Sequence, residues 1–140
     1  MSKADQDCIF CKIVAGDMPA EILDSDEKTV SFMDINPATK GHALVIPRAH
    51  SEGLLAISDD DLSACTLAAR KLAQRMEETL EPDGYNVLNC CRPAAWQTVF
   101  HFHLHVVPRY ESDPLQLPWV PRGGDSGEIA RTAGRIKGEG

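Results

Sequence analysis

The chain has 140 residues and a formal net charge of −7 at neutral pH. This length suits one compact domain, spanning residues 1–140, that needs neither a disulfide nor a metal merely to fold. The acidic balance argues against a nucleic-acid-binding protein and against a polybasic membrane-surface protein, because both present basic faces.

The chain start and the cysteines bear on the cellular compartment. Residues 1–7 are polar and mixed in charge, unlike a secretory leader, and no apolar run approaches the roughly 18–20 residues of a membrane span. The five cysteines form an odd set in an ordinary core-forming sequence. This favours reduced thiols or metal ligands over a disulfide framework. We therefore expect a cytoplasmic protein that does not associate with a membrane.

Apolar and turn-forming residues divide the chain into short strands and helices. Ser58 and Asp61 resemble a capping box at the start of the one long helix, whose apolar residues repeat at steps of three and four. In chain order the predicted elements are a helix or turn at 8–16, a hairpin at 21–24 and 29–34, a strand at 43–47, a helix at 58–80, strands at 85–89 and 99–107, and a short helix near 128–136.

These elements predict an α+β fold. It has a mainly antiparallel sheet of about five strands, one long helix and one short helix. From residue 111 onward the chain is rich in proline and glycine, so we expect an irregular tail over residues 111–140.

Histidine is the most unevenly distributed residue type. Three of the five histidines alternate along a predicted strand as His101, His103 and His105, so they share one face of it. They could bind a metal, form a solvated polar surface, or form an anion site in which one imidazole is a nucleophile. The outer pair is roughly 13 Å apart on a flat strand, too far for one ion. Histidine can act as a nucleophile because its pKa lies near neutrality, so both its neutral and its protonated forms are available.

Segment 97–109 resembles the signature of the histidine-triad (HIT) superfamily, His-x-His-x-His followed by two apolar residues. Segments 8–13, 32–37 and 41–50 resemble the other blocks of the family in the same order, and the likeness is closest to the Hint-like nucleotide hydrolases. The resemblance implies a HIT-like fold and a homodimer. It also implies hydrolysis or transfer at the α-phosphate of nucleoside phosphoramidates or related adenylated compounds, with a purine nucleotide such as AMP as ligand.

The resemblance also implies a role for each matching position. His103 attacks the α-phosphorus, and water then hydrolyses the nucleotidyl-histidine intermediate. His105 and Thr98 contact the phosphate, while Gln97 lies near the leaving group. Asp34 accepts hydrogen bonds from the ribose hydroxyls. An apolar slot for the base is formed by residues that we would otherwise assign to the core: Ile9, Phe10, Ile13, Phe32 and Ile35.

Cys8-x-x-Cys11 is half of a tetrahedral metal site, and His50 and His101 are the available further ligands. Some bacterial members of the family are similar in this respect, because they close a structural zinc site with these four positions. We therefore expect a structural zinc ion. We assign the remaining histidine, His42, a structural role at the start of a strand.

The loop before Gln97 departs from the family pattern Asn-Asn-Gly-x-x-Ala-Gly-Gln. Cys90 replaces an asparagine that contacts the nucleotide, and Arg92 and Trp96 replace glycines. The ring of Trp96 could narrow or cap the pocket, and Arg92 could pair with phosphate or be solvated. Two alternatives therefore remain: a nucleotide-binding regulatory module with little or no turnover, and a zinc-stabilised interaction protein without a nucleotide site.

Overall fold

A computed structural model of the chain describes residues 7–139 and has one five-stranded antiparallel sheet. The strands lie side by side in the order β1-β2-β3-β5-β4. This confirms the predicted α+β class and the number of strands. The elements are α1 (Ile9–Ala15), β1 (Ile22–Ser25), β2 (Thr29–Met33), β3 (Ala43–Pro47), α2 (Asp59–Thr79), β4 (Gly84–Leu88), a 3₁₀ turn (Pro93–Ala95), β5 (Leu104–Arg109) and α3 (Ser126–Ile136).

The sheet buries both of its faces around the central strand β3. Side chains of β3 alternate between the faces, so Ala43 and Val45 contact one apolar cluster while Leu44 and Ile46 contact the other. The first cluster includes residues of α2, and the second includes residues of α1. The long and short helices therefore cover opposite faces of the same strands.

Helix α2 begins and ends close to the predicted positions. Ser58 is its N-cap, and the Ser58 hydroxyl accepts a hydrogen bond from the Asp61 N–H at 3.1 Å. Its buried residues follow the predicted apolar stripe: Cys65, Ala69, Leu72 and Met76.

Strand β5 begins later than the sequence predicted. The expected strand at 99–107 is observed as Leu104–Arg109, because β3 ends at Pro47, which has no N–H to continue the ladder. The Pro47 carbonyl instead accepts the ring N–H of His101 at 2.8 Å. Phe102 and Leu104 are buried as expected, whereas Phe100, which was expected on the same buried face, is 45% exposed.

The tail is only partly irregular. Residues 111–125 contain no helix or strand, but α3 then runs over Ser126–Ile136, starting two residues before the short helix that the sequence predicted. Asp125 caps α3 by accepting a hydrogen bond from the Glu128 N–H at 2.8 Å. No helix among residues 7–139 is both long and apolar enough to cross a membrane.

Candidate functional site

The N-terminus of α1 meets the histidine segment at a cluster of four side chains. Cys8 is the N-cap of α1, and its sulfur accepts a hydrogen bond from the Cys11 N–H, so the two sulfurs face the same side. Nδ1 of His101 lies 3.4 Å from the Cys8 sulfur and 3.5 Å from the Cys11 sulfur. Nδ1 of His50 lies 3.3 Å from the Cys11 sulfur. The structure thus brings together all four predicted metal ligands.

The donor geometry of this cluster fits a zinc ion. Tetrahedral zinc holds its sulfur and nitrogen ligands about 3.5 Å apart. The ring Nε2–H of His101 donates to the Pro47 carbonyl, so the lone pair of Nδ1 faces the sulfurs. Burial lowers the pKa of His101 to about 4, which keeps the ring neutral, as a metal ligand must be. Burial also raises the pKa of the Cys8 thiol, so a thiolate there needs a cation beside it.

His103 presents one bare ring nitrogen. Its Nδ1–H donates to the backbone carbonyl of His101 at 2.8 Å, which places the lone pair on Nε2. The edge of the Phe10 ring packs against His103, with ring centroids 5.1 Å apart. The side chain is almost fully buried, and this burial lowers the pKa of His103, so the neutral, nucleophilic form is favoured.

His105 is oriented by His42, a residue that sequence reasoning assigned only a structural role. The Ala38 N–H donates to Nδ1 of His42 at 2.9 Å, so the His42 proton resides on Nε2. That Nε2 lies 3.0 Å from Nδ1 of His105 and 3.4 Å from a carboxylate oxygen of Asp34. His105 therefore accepts at Nδ1 and keeps its own proton on Nε2. The residues around His42 gave no local pattern that pointed to this contact.

The same hydrogen bonds argue against a second metal site. Asp34, His42 and His105 offer ligand atoms within 4.8 Å of one another. A metal ion at this cluster would need the lone pair of His42 Nε2, but the Ala38 N–H fixes the proton there. The three side chains are better described as a hydrogen-bonded chain that ends at His105.

A cavity of about 240 Å³ opens in front of His103 and His105. Its walls include one end of α1, the end of β2 and the segment before β5. Most of the predicted nucleotide-contacting and catalytic residues line this single cavity: Ile9, Phe10, Ile13, Phe32, Asp34, Ile35, Thr98, His103 and His105. The cavity is apolar on the α1 side and carries its polar groups at the histidine end, as a nucleotide pocket requires.

Gln97 and Cys90 do not line this cavity. The Gln97 carboxamide oxygen accepts the Arg92 N–H at 2.6 Å, and its NH₂ group donates to the carbonyls of Glu52 and Val99. These three bonds hold the amide in the loop, on the wall of a neighbouring cavity. Cys90 is buried beside the loop, and burial raises the pKa of its thiol.

The loop keeps backbone conformations that favour glycine. Arg92 has φ = 77° and ψ = 159°, and Trp96 has φ = 75° and ψ = 21°. The φ and ψ angles of Arg92 lie in a region that is used almost only by glycine. Any other residue there is strained by about 1–3 kcal/mol. Trp96 is 67% exposed and does not line the nucleotide-sized cavity, so its ring does not narrow that cavity.

The family model described as HIT domain matches residues 15–112. This chain belongs to the HIT family. A HIT-fold protein of known structure from Streptococcus mutans UA159 is 37% identical, with a TM-score of 0.93, and the match covers 99% of this chain and 88% of that one. The fold implied by the sequence resemblance is thus confirmed.

Two further HIT relatives bear on chemistry. An adenosine 5'-monophosphoramidase of Candida albicans is 36% identical over 137 residues, covering 94% of this chain and 90% of the relative. A zinc-bound histidine triad family protein from Mycobacterium smegmatis is 37% identical, with a TM-score of 0.76 and coverage of 96% of this chain and 98% of that one. Nucleotide hydrolysis and zinc binding therefore both occur in proteins similar to this one.

Proposed function

We propose that this HIT protein hydrolyses nucleoside phosphoramidates or related adenylated compounds at the α-phosphate through a nucleotidyl-His103 intermediate. The observation that carries this proposal is the tautomer of His103. Its Nδ1–H is held by the His101 carbonyl, so a buried neutral ring directs the lone pair of Nε2 into the cavity. An imidazole in this state is a competent nucleophile toward phosphorus.

The reaction divides into two displacements. In the first, Nε2 of His103 forms a bond to the α-phosphorus and the phosphorus–nitrogen bond to the leaving group breaks. The leaving nitrogen departs as an amine with a proton that reaches it from solvent through Nε2 of His105. In the second, a water oxygen bonds to phosphorus, the bond to His103 breaks, and one proton of that water leaves to solvent through His105. The products are the nucleoside monophosphate and the free amine.

The other cavity residues bind the nucleotide in this scheme. The apolar side chains of α1 and β2 enclose the base, and AMP is the purine nucleotide that we expect them to hold. Asp34 accepts hydrogen bonds from the ribose hydroxyls, for which a carboxylate has the capacity. Thr98 and Nε2–H of His105 donate to the phosphate oxygens, where charge develops during both displacements.

We also propose that Cys8, Cys11, His50 and His101 hold a structural zinc ion. Four protein ligands leave no open position for substrate, so the ion would stabilise the fold without taking part in the reaction. The ligands join α1 to the segment that carries His103.

A homodimer joined at β4 completes the proposal. β4 lies at the edge of the sheet, and its residues Gly84–Leu88 include no charged side chain. Val87 and Leu88 are exposed there. An uncharged edge strand favours pairing with another strand.

A substrate panel with paired binding measurements tests the proposed activity. We expect the protein to hydrolyse adenosine 5'-phosphoramidate, and His103→Ala to lose at least about a thousandfold in kcat while still binding AMP. AMP binding by the unaltered protein without hydrolysis of phosphoramidate, dinucleoside polyphosphate or adenylyl sulfate would favour the regulatory module instead. Absence of AMP binding by calorimetry would favour the interaction protein.

A further inference from the structure

A second cavity is lined by the loop before β5 and includes the exposed side chain of Arg92. It has a volume of about 220 Å³, and its walls include Arg92, Glu52, Leu55 and Phe100. In the part of the chain that the structure describes, residues 7–139, the Arg92 guanidinium makes no hydrogen bond or ion pair. A guanidinium carries five N–H donors in a fixed plane, so this cavity offers unused donors to an anion.

The backbone of Arg92 is held in its strained conformation by the surrounding loop. Its N–H donates to the Gln97 side chain at 2.6 Å, and its carbonyl accepts the N–H groups of Ala95 and Gln97 at 3.0 and 3.1 Å. Glycine would adopt the same φ and ψ without strain. Strain that a fold maintains at such a position points to a role for the side chain.

The second cavity is related to the reacting centre through the segment that both cavities use as a wall. A third cavity, of about 230 Å³, is lined by Thr98 and Val99, which also line the nucleotide pocket, and by Phe100, which also lines the Arg92 cavity. All three cavities therefore have walls formed in part by residues of the segment 97–100. A group attached to the α-phosphate, extending away from the base, would pass Thr98 and reach Phe100 and Arg92.

We propose that the Arg92 cavity is the leaving-group subsite and that Arg92 selects substrates whose leaving group carries an anion, a carboxylate or a phosphate. This inference rests on the proposed function. The planar guanidinium binds a carboxylate or phosphate through paired, charge-assisted hydrogen bonds. Leu55 and Phe100 contact the apolar part of the same leaving group. The reaction is unchanged: the phosphorus–nitrogen bond breaks, and the amine leaves with its proton and its anionic substituent.

A matched pair of substrates tests the subsite. One is the adenosine 5'-phosphoramidate of phenylalanine with a free carboxylate, and the other is its neutral carboxamide. We expect the carboxylate substrate to have the higher kcat/KM by about tenfold, as one charge-assisted hydrogen-bond pair allows. Arg92→Gln should abolish this preference by lowering only the rate with the carboxylate substrate. The adenosine 5'-phosphoramidate of 2-aminoethyl phosphate, assayed in parallel, shows whether the anion is also accepted as a phosphate.

Two further variants separate recognition from loop structure. Arg92→Gly relieves the backbone strain, so it should raise the thermal midpoint while losing the carboxylate preference. Arg70→Gln, on the exposed face of α2, removes a positive charge elsewhere and should keep the preference.

The possible failures can be told apart. The subsite is overturned if Arg92→Gln retains the preference, or if it lowers the rates with both substrates equally. It is also overturned if the unaltered protein hydrolyses both substrates equally well. Absence of hydrolysis of either substrate, with AMP binding intact, overturns the proposed function and the subsite together.

Discussion

At the scale of single residues, the reactivity of each histidine follows from the partner of its other ring nitrogen. His103 donates its Nδ1–H to one backbone carbonyl, so its Nε2 lone pair faces the cavity. His101 donates its Nε2–H to another backbone carbonyl, so its Nδ1 lone pair faces the cysteines. Burial reinforces this by lowering the pKa of both rings. Two residues of the same type, two positions apart, thereby acquire different chemistry.

The contact between His42 and His105 gives a prediction at this scale. His42→Ala removes the hydrogen bond to Nδ1 of His105, and we expect kcat to fall about tenfold, the value of one hydrogen bond. AMP affinity should change less than kcat, because His42 does not line the cavity and reaches it only through Asp34 and His105. Steady-state kinetics and AMP titration measure the two effects.

A conservative variant provides the control. His42→Gln retains an N–H donor on its side chain and should recover part of the lost rate. Equal kcat values for His42→Ala and the unaltered protein would show that the hydrogen bond does not contribute to catalysis.

At the scale of elements, α1 connects the proposed metal site to the base pocket. Cys8 and Cys11 lie at its N-terminus, and Ile9, Phe10 and Ile13 of the same helix line the cavity. Phe10 also contacts both the His101 and the His103 rings. A helix of only seven residues has little stability of its own, so its position depends on these anchors.

Removing one ligand tests this dependence. We expect the unaltered protein to contain about one zinc per chain, and Cys11→Ser to contain almost none, because the site would lose one of four ligands. AMP affinity and the thermal midpoint should both fall in the variant, since α1 would be less firmly held. Elemental analysis, calorimetry and thermal unfolding measure the three quantities.

Cys65→Ala is the matched control because Cys65 is buried in the α2 core, away from the cluster. It should keep its zinc. An equal zinc content in Cys11→Ser and the unaltered protein would contradict the assignment of the ligands.

Sequence periodicity predicted some elements better than others, for identifiable reasons. The apolar stripe and the capping serine of α2 are local signals, so its bounds were predicted closely. The start of β5 depends on β3, which is distant in sequence: the pairing ends at Val45, and Pro47 has no N–H to continue it. The alternation of apolar residues before β5 gave no sign of this.

The same distinction applies to the site. Motif resemblance named residues that the structure brings together in one cavity and in the Cys/His cluster, and their roles stay predictions. It did not predict that the side chains of His42 and His105, 63 positions apart, would be in contact, or that the Gln97 amide would bind the Glu52 carbonyl, 45 positions away. The φ and ψ angles of Arg92 were likewise not predicted, since arginine rarely adopts them.

At the scale of the whole molecule, the two edges of the sheet differ. β1 carries Asp24 and an irregular register between Ile22 and Asp24, features that discourage pairing with another strand. β4 has neither feature and exposes Val87. The proposed homodimer therefore joins at β4.

A charge placed on each edge tests this assignment. In analytical ultracentrifugation we expect the unaltered protein to have twice the mass of one chain. The mass of Val87→Lys should shift toward that of a single chain. Ile22→Lys, at the β1 edge, should remain a dimer. A monomeric unaltered protein, or a dimer insensitive to Val87→Lys, would contradict the assignment.

The account as a whole depends on a covalent bond between Nε2 of His103 and the α-phosphorus. Rapid denaturation during turnover, followed by peptide mapping by mass spectrometry at neutral to alkaline pH, tests this bond most directly. The account predicts one nucleotidyl group on the peptide that contains His103, and none in His103→Ala. Full turnover by the unaltered protein with no adduct on that peptide, together with unchanged activity of His103→Ala, would contradict it.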